Sequence, residues 1–137
     1  MAFTGNSACN SFKTALMGGT IDFAVDTFKL ALYTNSAELG PATAAYTATG
    51  EVVATGYAAG GAAAPVSVQP TADGSTVYVS FSNVVFTAAL TARGALLYKD
   101  GGPAVCVLDF GADKTSTTTL TVQFPAAAAS SAILRLV

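Results

Sequence analysis

Carboxylates are the side chains of this sequence best able to do chemistry, because it contains no histidine and no tryptophan. Without His the commonest general base, the familiar hydrolytic triads and the most frequent metal ligand are missing together. The acids are Asp22, Asp26, Glu38, Glu51, Asp73, Asp100, Asp109 and Asp113, and none forms a pair recognisable as an acid–base couple. The sharpest cluster is Asp109-Phe110-Gly111-Ala112-Asp113-Lys114. Two carboxylates four apart around a glycine can contribute to a Ca²⁺ site, but the spacing is not that of an EF-hand loop and other oxygen ligands must come from elsewhere. A turn in which Asp side chains accept backbone N–H bonds, with Lys114 nearby, is the favoured alternative.

The remaining candidates read the same way. Cys9 and Cys106 sit in apolar patterns far apart in sequence, which suits small buried hydrophobes better than a bridge, a nucleophile or a metal cluster. Gly60-Gly61 and Gly101-Gly102 lack the flanking residues of a phosphate cradle and read as turns. Tyr33, Tyr46, Tyr57, Tyr78 and Tyr98 suggest a sugar-binding platform, yet without Trp, packing in a core or an interface is the better expectation. No catalytic residue, cofactor or metal ligand is therefore assigned.

Charged residues make up 10% of the 137 positions and apolar ones 52%, against about 25% charged in an ordinary globular protein. Net charge is −2, with the bases Lys13, Lys29, Arg93, Lys99, Lys114 and Arg135 scattered. That excludes the clustered basic footprint of a nucleic-acid binder or of an anionic-membrane binder. A surface poor in charge suits a molecule covered by neighbours better than a free monomer. Neither a signal peptide nor a run of 18 apolar residues is visible, so synthesis in the cytoplasm is expected.

The elements that would hold these residues are mostly strands. Asn6 or Ser7 can cap a helix over residues 6–18, with Cys9, Phe12 and Leu16 on one face and Gly18-Gly19 as its stop. Phe28, Leu30 and Leu32 then alternate as a half-buried strand. Residues 42–64, rich in Gly, Ala and Thr, predict an irregular arm or long loop. Strand signals follow at Val66–Val68, Thr76–Phe81, Val84–Phe86, Ala92–Lys99, Ala104–Gly111, Ser116–Phe124 and Ile133–Val137, with turns at Asp73-Gly74 and Asp100-Gly101-Gly102. The Ala104–Gly111 run is apolar enough for a central strand covered on both faces. One domain over residues 1–137 is expected, all-β, mainly an antiparallel sandwich or jelly roll, with one short N-terminal helix.

Several segments in this order resemble small structural proteins of tailed-phage particles. They are Met1–Ser7 with Cys9–Lys13, Phe28–Thr34, Ala45–Val52 leading to Gly56–Gly61, Thr91–Tyr98 and Ala104–Lys114. The chain departs from that pattern in its alanine content and in carrying Val85-Phe86 where a Trp is expected. The resemblance implies a non-enzymatic head decoration, or cement, protein on the virion surface. It would bind the major capsid protein and copies of itself, as a dimer or trimer, without nucleic acid or membrane. A tail or neck component is the alternative, and a host-glycan-binding module a more distant one. Loops and termini carry binding on a rigid scaffold, so Met1–Asn6, the 42–64 loop and the Asp100–Pro103 tip are the expected contact elements. Phe3, Asn6, Tyr46, Glu51, Tyr57, Arg93, Asp100 and Arg135 are the candidate capsid or self-contact residues.

Overall fold

The computed structural model describes Phe3 and residues 5–137. It is mostly antiparallel β-structure with a single short helix among these residues. Five strands form the main sheet in the order β1 (Ser7–Ala8), β8 (Ala104–Ser116), β7 (Leu90–Lys99), β2 (Phe28–Tyr33) and β3 (Ala62–Ala63). A three-stranded sheet holds β10 (Leu134–Leu136), β5 (Thr76–Phe81) and β4 (Val66–Asp73), and a two-stranded ribbon pairs β6 (Val84–Phe86) with β9 (Leu120–Val122). The helix α1 is Asn10–Met17, and no helix among the described residues is long and apolar enough to cross a membrane. Strands grouped as five, three and two give a sandwich-like, mainly antiparallel all-β architecture.

The strand register shows how the core is built. Phe28, Leu30 and Leu32 of β2 share one side with Leu97 and Ala95 of β7, while Lys29, Ala31 and Tyr33 share the other with Tyr98, Leu96 and Gly94. On the first side an aromatic cluster forms: Phe28 stacks on Phe23 at 5.2 Å and meets Phe81 of β5 edge-on at 5.6 Å. Phe12 of α1 and Phe124 extend it. On the second side lies the segment between Pro41 and Gly61. Hence β2 is buried on both faces rather than half-buried, apart from Lys29, and the alternation at Lys29 misled because one residue out of six stays wet. Of the expected doubly covered run Ala104–Gly111, Ala104–Leu108 is buried, while Asp109 and Phe110 are half-buried and Gly111 is exposed.

Other boundaries moved for local reasons. The helix starts at Asn10, not residue 6, because Ser7 and Ala8 pair with Val107 and Cys106 of β8 as a short edge strand. Cys9 becomes the N-cap without a side-chain bond, so neither Asn6 nor Ser7 caps the helix. Strand β4 runs past Pro70, which sits where the register slips between Val68 and Thr71, so its missing N–H costs little there. The expected strand Ser116–Phe124 is divided. Its first residue ends β8, where the Ser116 hydroxyl donates to the Ala88 carbonyl, and Leu120–Val122 leaves to pair with β6.

Candidate functional site

The segment after Pro41 lacks any regular period, yet it is an ordered cover built around one carboxylate. Beyond β3 the edge of β2 has no strand partner, and the segment supplies the missing bonds piece by piece. Thr34 N–H donates to the Gly50 carbonyl (2.8 Å) and Val52 N–H to the Leu32 carbonyl (3.0 Å). Leu32 N–H donates to the Tyr57 hydroxyl (2.8 Å), so a phenol stands in for a strand carbonyl. Tyr57 then donates to Glu51 Oε2 at 2.7 Å, Gly60 N–H donates to the same oxygen at 2.8 Å, and Tyr46 donates to Oε1 at 2.5 Å. Glu51 is buried, 7% exposed, and no Lys or Arg pairs with it among the described residues. Three donors replace the cation that a buried carboxylate ordinarily requires.

The surrounding phenols complete the knot. Tyr98 donates to the Gly60 carbonyl (2.6 Å) and stacks on Tyr46 at 5.2 Å, and Tyr33 donates to the Thr47 carbonyl (2.6 Å). The Glu51 hydrogen bond pushes Tyr46 up to about 12. Burial raises Tyr57, Tyr33 and Tyr98 above the ordinary phenol value. Gly61 lets the cover approach: a Cβ there would stand 1.9 Å from the Leu30 carbonyl oxygen, and its φ of +82° is one that L side chains avoid.

A second cluster fastens the N-terminal segment on the same side of the sheet. Phe3 is buried over Gly94, where a Cβ would come within 2.5 Å of its ring, and bridges to Leu39. The Arg93 guanidinium lies 5.8 Å from the Phe3 ring centroid and pairs with Asp109 at 3.1 Å. Asp109 also accepts from Gly111 N–H (2.8 Å), and its own N–H donates to the Asn6 side-chain oxygen (2.6 Å). The Asp109 side chain thus accepts a backbone N–H as expected, but the Asp109–Lys114 segment runs within β8 instead of forming a separate turn, with Gly111 at a positive φ marking the irregularity. Asp113 lies on the exposed stretch of β8, and no group of three potential metal ligands occurs among the described residues.

The eight candidate contact residues thus divide. Phe3 and Glu51 are buried inside the fold, which withdraws them from an outward surface, while Arg93 is partly exposed and paired with Asp109. Tyr46 and Tyr57 are half-buried with their hydroxyls turned onto Glu51, and Asn6 is exposed but bonded to β8. Asp100 is exposed at the β7–β8 turn, and Arg135 is exposed on β10, donating to the Ala129 carbonyl. Sequence reasoning missed the roles of Tyr33 and Tyr98 as donors to the cover, although the wish of a buried phenol for a partner was a usable signal. Cys9 and Cys106 are free and buried. Burial pushes the Cys9 thiol up to about 11 and raises Cys106 further, which is the opposite of a reactive thiolate.

Chemically, the Glu51 carboxylate is committed to three bonds within the fold. Oε2 accepts two bonds and Oε1 one, all from groups of the fold itself, so the carboxylate acts as a fastener of the cover. The fold is mostly β, and the polar groups gathered around Glu51 hold the cover on the sheet. No family model, no curated protein and no solved structure matches the chain.

Proposed function

We propose that the chain is a non-enzymatic structural component of a tailed-phage particle, acting as a decoration protein that binds the outer face of the major capsid shell. Copies, as dimers or trimers, bridge neighbouring capsid subunits and resist the pressure of packaged DNA. The observation that carries this reading is the surface. Only 10% of residues are charged, and Met17, Val25, Val53, Val85 and Val137 stand in solvent. A surface of that kind is poorly suited to a dilute monomer and well suited to being covered. Many modest contacts repeated over a shell add up through avidity.

The test is to mix the purified protein with capsids that lack it and image them by cryo-electron microscopy. Regular density on the outer shell is expected. Bare shells with density at the neck or tail would transfer the protein to that part of the particle, and no binding anywhere would refute a particle role.

A further inference from the structure

We infer that Asp100 is a site of covalent self-modification, at which the bond to Gly101 rearranges to an isoaspartyl linkage with water as the only co-reactant. The reaction begins when the Gly101 backbone nitrogen attacks Cγ of the protonated Asp100 carboxyl. The proton of that nitrogen and the carboxyl hydroxyl leave as water, and a five-membered cyclic imide closes. One water then adds back and breaks one of the two imide C–N bonds. Breaking the bond at the α-carbonyl leaves the main chain running through the side-chain carbonyl, and breaking the other restores aspartate. Nothing is oxidised or reduced.

Attack on Cγ is least hindered where the next residue has no side chain, and Asp73 and Asp100 are the only aspartates followed by glycine. The fold separates these two. Asp73 ends β4 and pairs with Thr76 across the hairpin, so the ladder holds its backbone extended. Asp100 is exposed and lies outside both β7 and β8. Gly102 N–H donates to the Lys99 carbonyl (2.9 Å) and Gly101 has a φ of +75°, which makes residues 99–102 a type II turn. The central peptide unit of that turn, Asp100 C=O with Gly101 N–H, makes no backbone hydrogen bond among the described residues. Gly101 also faces open space. The unit is therefore free to rotate while the Gly102 bond and the Asp100 N–H bond to the Thr27 carbonyl (2.9 Å) persist, and rotation carries the nitrogen toward Cγ. The product has one more main-chain carbon at the turn, which loosens the adjoining Lys99 N–H bond to the Pro103 carbonyl (3.0 Å). This inference does not depend on the particle reading, since it rests on the turn alone.

The test stores the full chain in H₂¹⁸O at physiological temperature, beside a second sample kept unfolded in guanidinium chloride. Heavy oxygen marks each residue that has passed through the imide, and electron-transfer fragmentation of the digested chain tells isoaspartate from aspartate. In the folded chain both signals should build up at Asp100 about fivefold faster than at Asp73, and in the unfolded chain the two rates should match, because only the fold distinguishes the sites. Asp100→Glu, which cannot close a five-membered ring, should abolish the label at that position and leave Asp73 unchanged. Equal rates in the folded chain, a faster Asp73, or no reaction at Asp100 would each overturn the proposal. A lead of Asp100 that persists in guanidinium chloride would also overturn it, by removing the turn as the cause.

Discussion

Glu51 shows how much a single side chain can organise. It receives three hydrogen bonds in a site almost closed to water, and hydrogen bonds to charged groups are each worth about 1.5–3 kcal/mol. Glu51→Ala leaves two phenols and the Gly60 amide without their acceptor, so a loss of about 3 kcal/mol in urea unfolding is expected. Glu51→Gln keeps one acceptor oxygen for Tyr57 and Gly60, and the Tyr46 hydroxyl can turn to accept from the new amide; its cost should be nearer about 1 kcal/mol. Equal losses for the two variants would count against the carboxylate as the organising group. The phenols and thiols add a pH dependence. Tyr46 rises from 10.0 to about 12 and Cys9 from 9.0 to about 11 on folding. Groups whose folded pKa is raised contribute stability that is complete below the unfolded value and disappears as pH climbs through the folded one. The urea midpoint should therefore hold up to about pH 9 and fall between about pH 9 and 12, with phenolate absorbance appearing as the protein unfolds. A flat midpoint across that window would contradict the buried, neutral state of these groups.

At the scale of elements, the cover and the sheet meet through backbone contact with no room for a methyl group. Gly61 presses against the Leu30 carbonyl of β2 with a positive φ, whereas Gly101 at the β7–β8 turn shares a positive φ but faces open space. Gly61→Ala should cost about 3 kcal/mol or more, since strain and overlap combine. Gly101→Ala should cost about 1–2 kcal/mol, the conformational penalty alone. Thermal melts of the pair separate the two effects, and similar melting temperatures would mean that the cover can lift without loss. Phe3 has a comparable role for the N-terminal segment. Its ring fills the space above Gly94, and Phe3→Ala should destabilise by about 3 kcal/mol through the lost burial and the void.

For the molecule as a whole, the knot makes a segment without secondary structure part of the cooperative unit. Val52 belongs to the same apolar cluster as Leu30, Leu96 and Val107, and Tyr46, Ala54 and Tyr57 pack against it, so the 42–61 cover has no core of its own. Hydrogen exchange of the Gly60 amide should require an opening as large as that of the central β7 amides, and it should become far faster in Glu51→Ala. Exchange of Gly60 at the rate of a free loop in the unaltered protein would show that the cover opens separately.

Composition and period alone were enough to mark this chain as β-rich with one N-terminal helix, because alternation and turn residues act over neighbouring positions. The Asp73-Gly74 and Asp100-Gly101-Gly102 turns and the doubly covered Ala104–Leu108 run were legible for that reason. So was the burial of the two cysteines. Tertiary structure alone decided what long-range partners control. Ser7 and Ala8 left the helix for β8, the expected strand Ser116–Phe124 was divided between the end of β8 and a pairing of Leu120–Val122 with β6, and the Gly-rich segment became an ordered cover because Glu51 found donors at Tyr46, Tyr57 and Gly60. No local pattern encodes an unpaired edge on β2 or the carboxylate knot that closes over it, since both exist only once distant strands have been brought side by side.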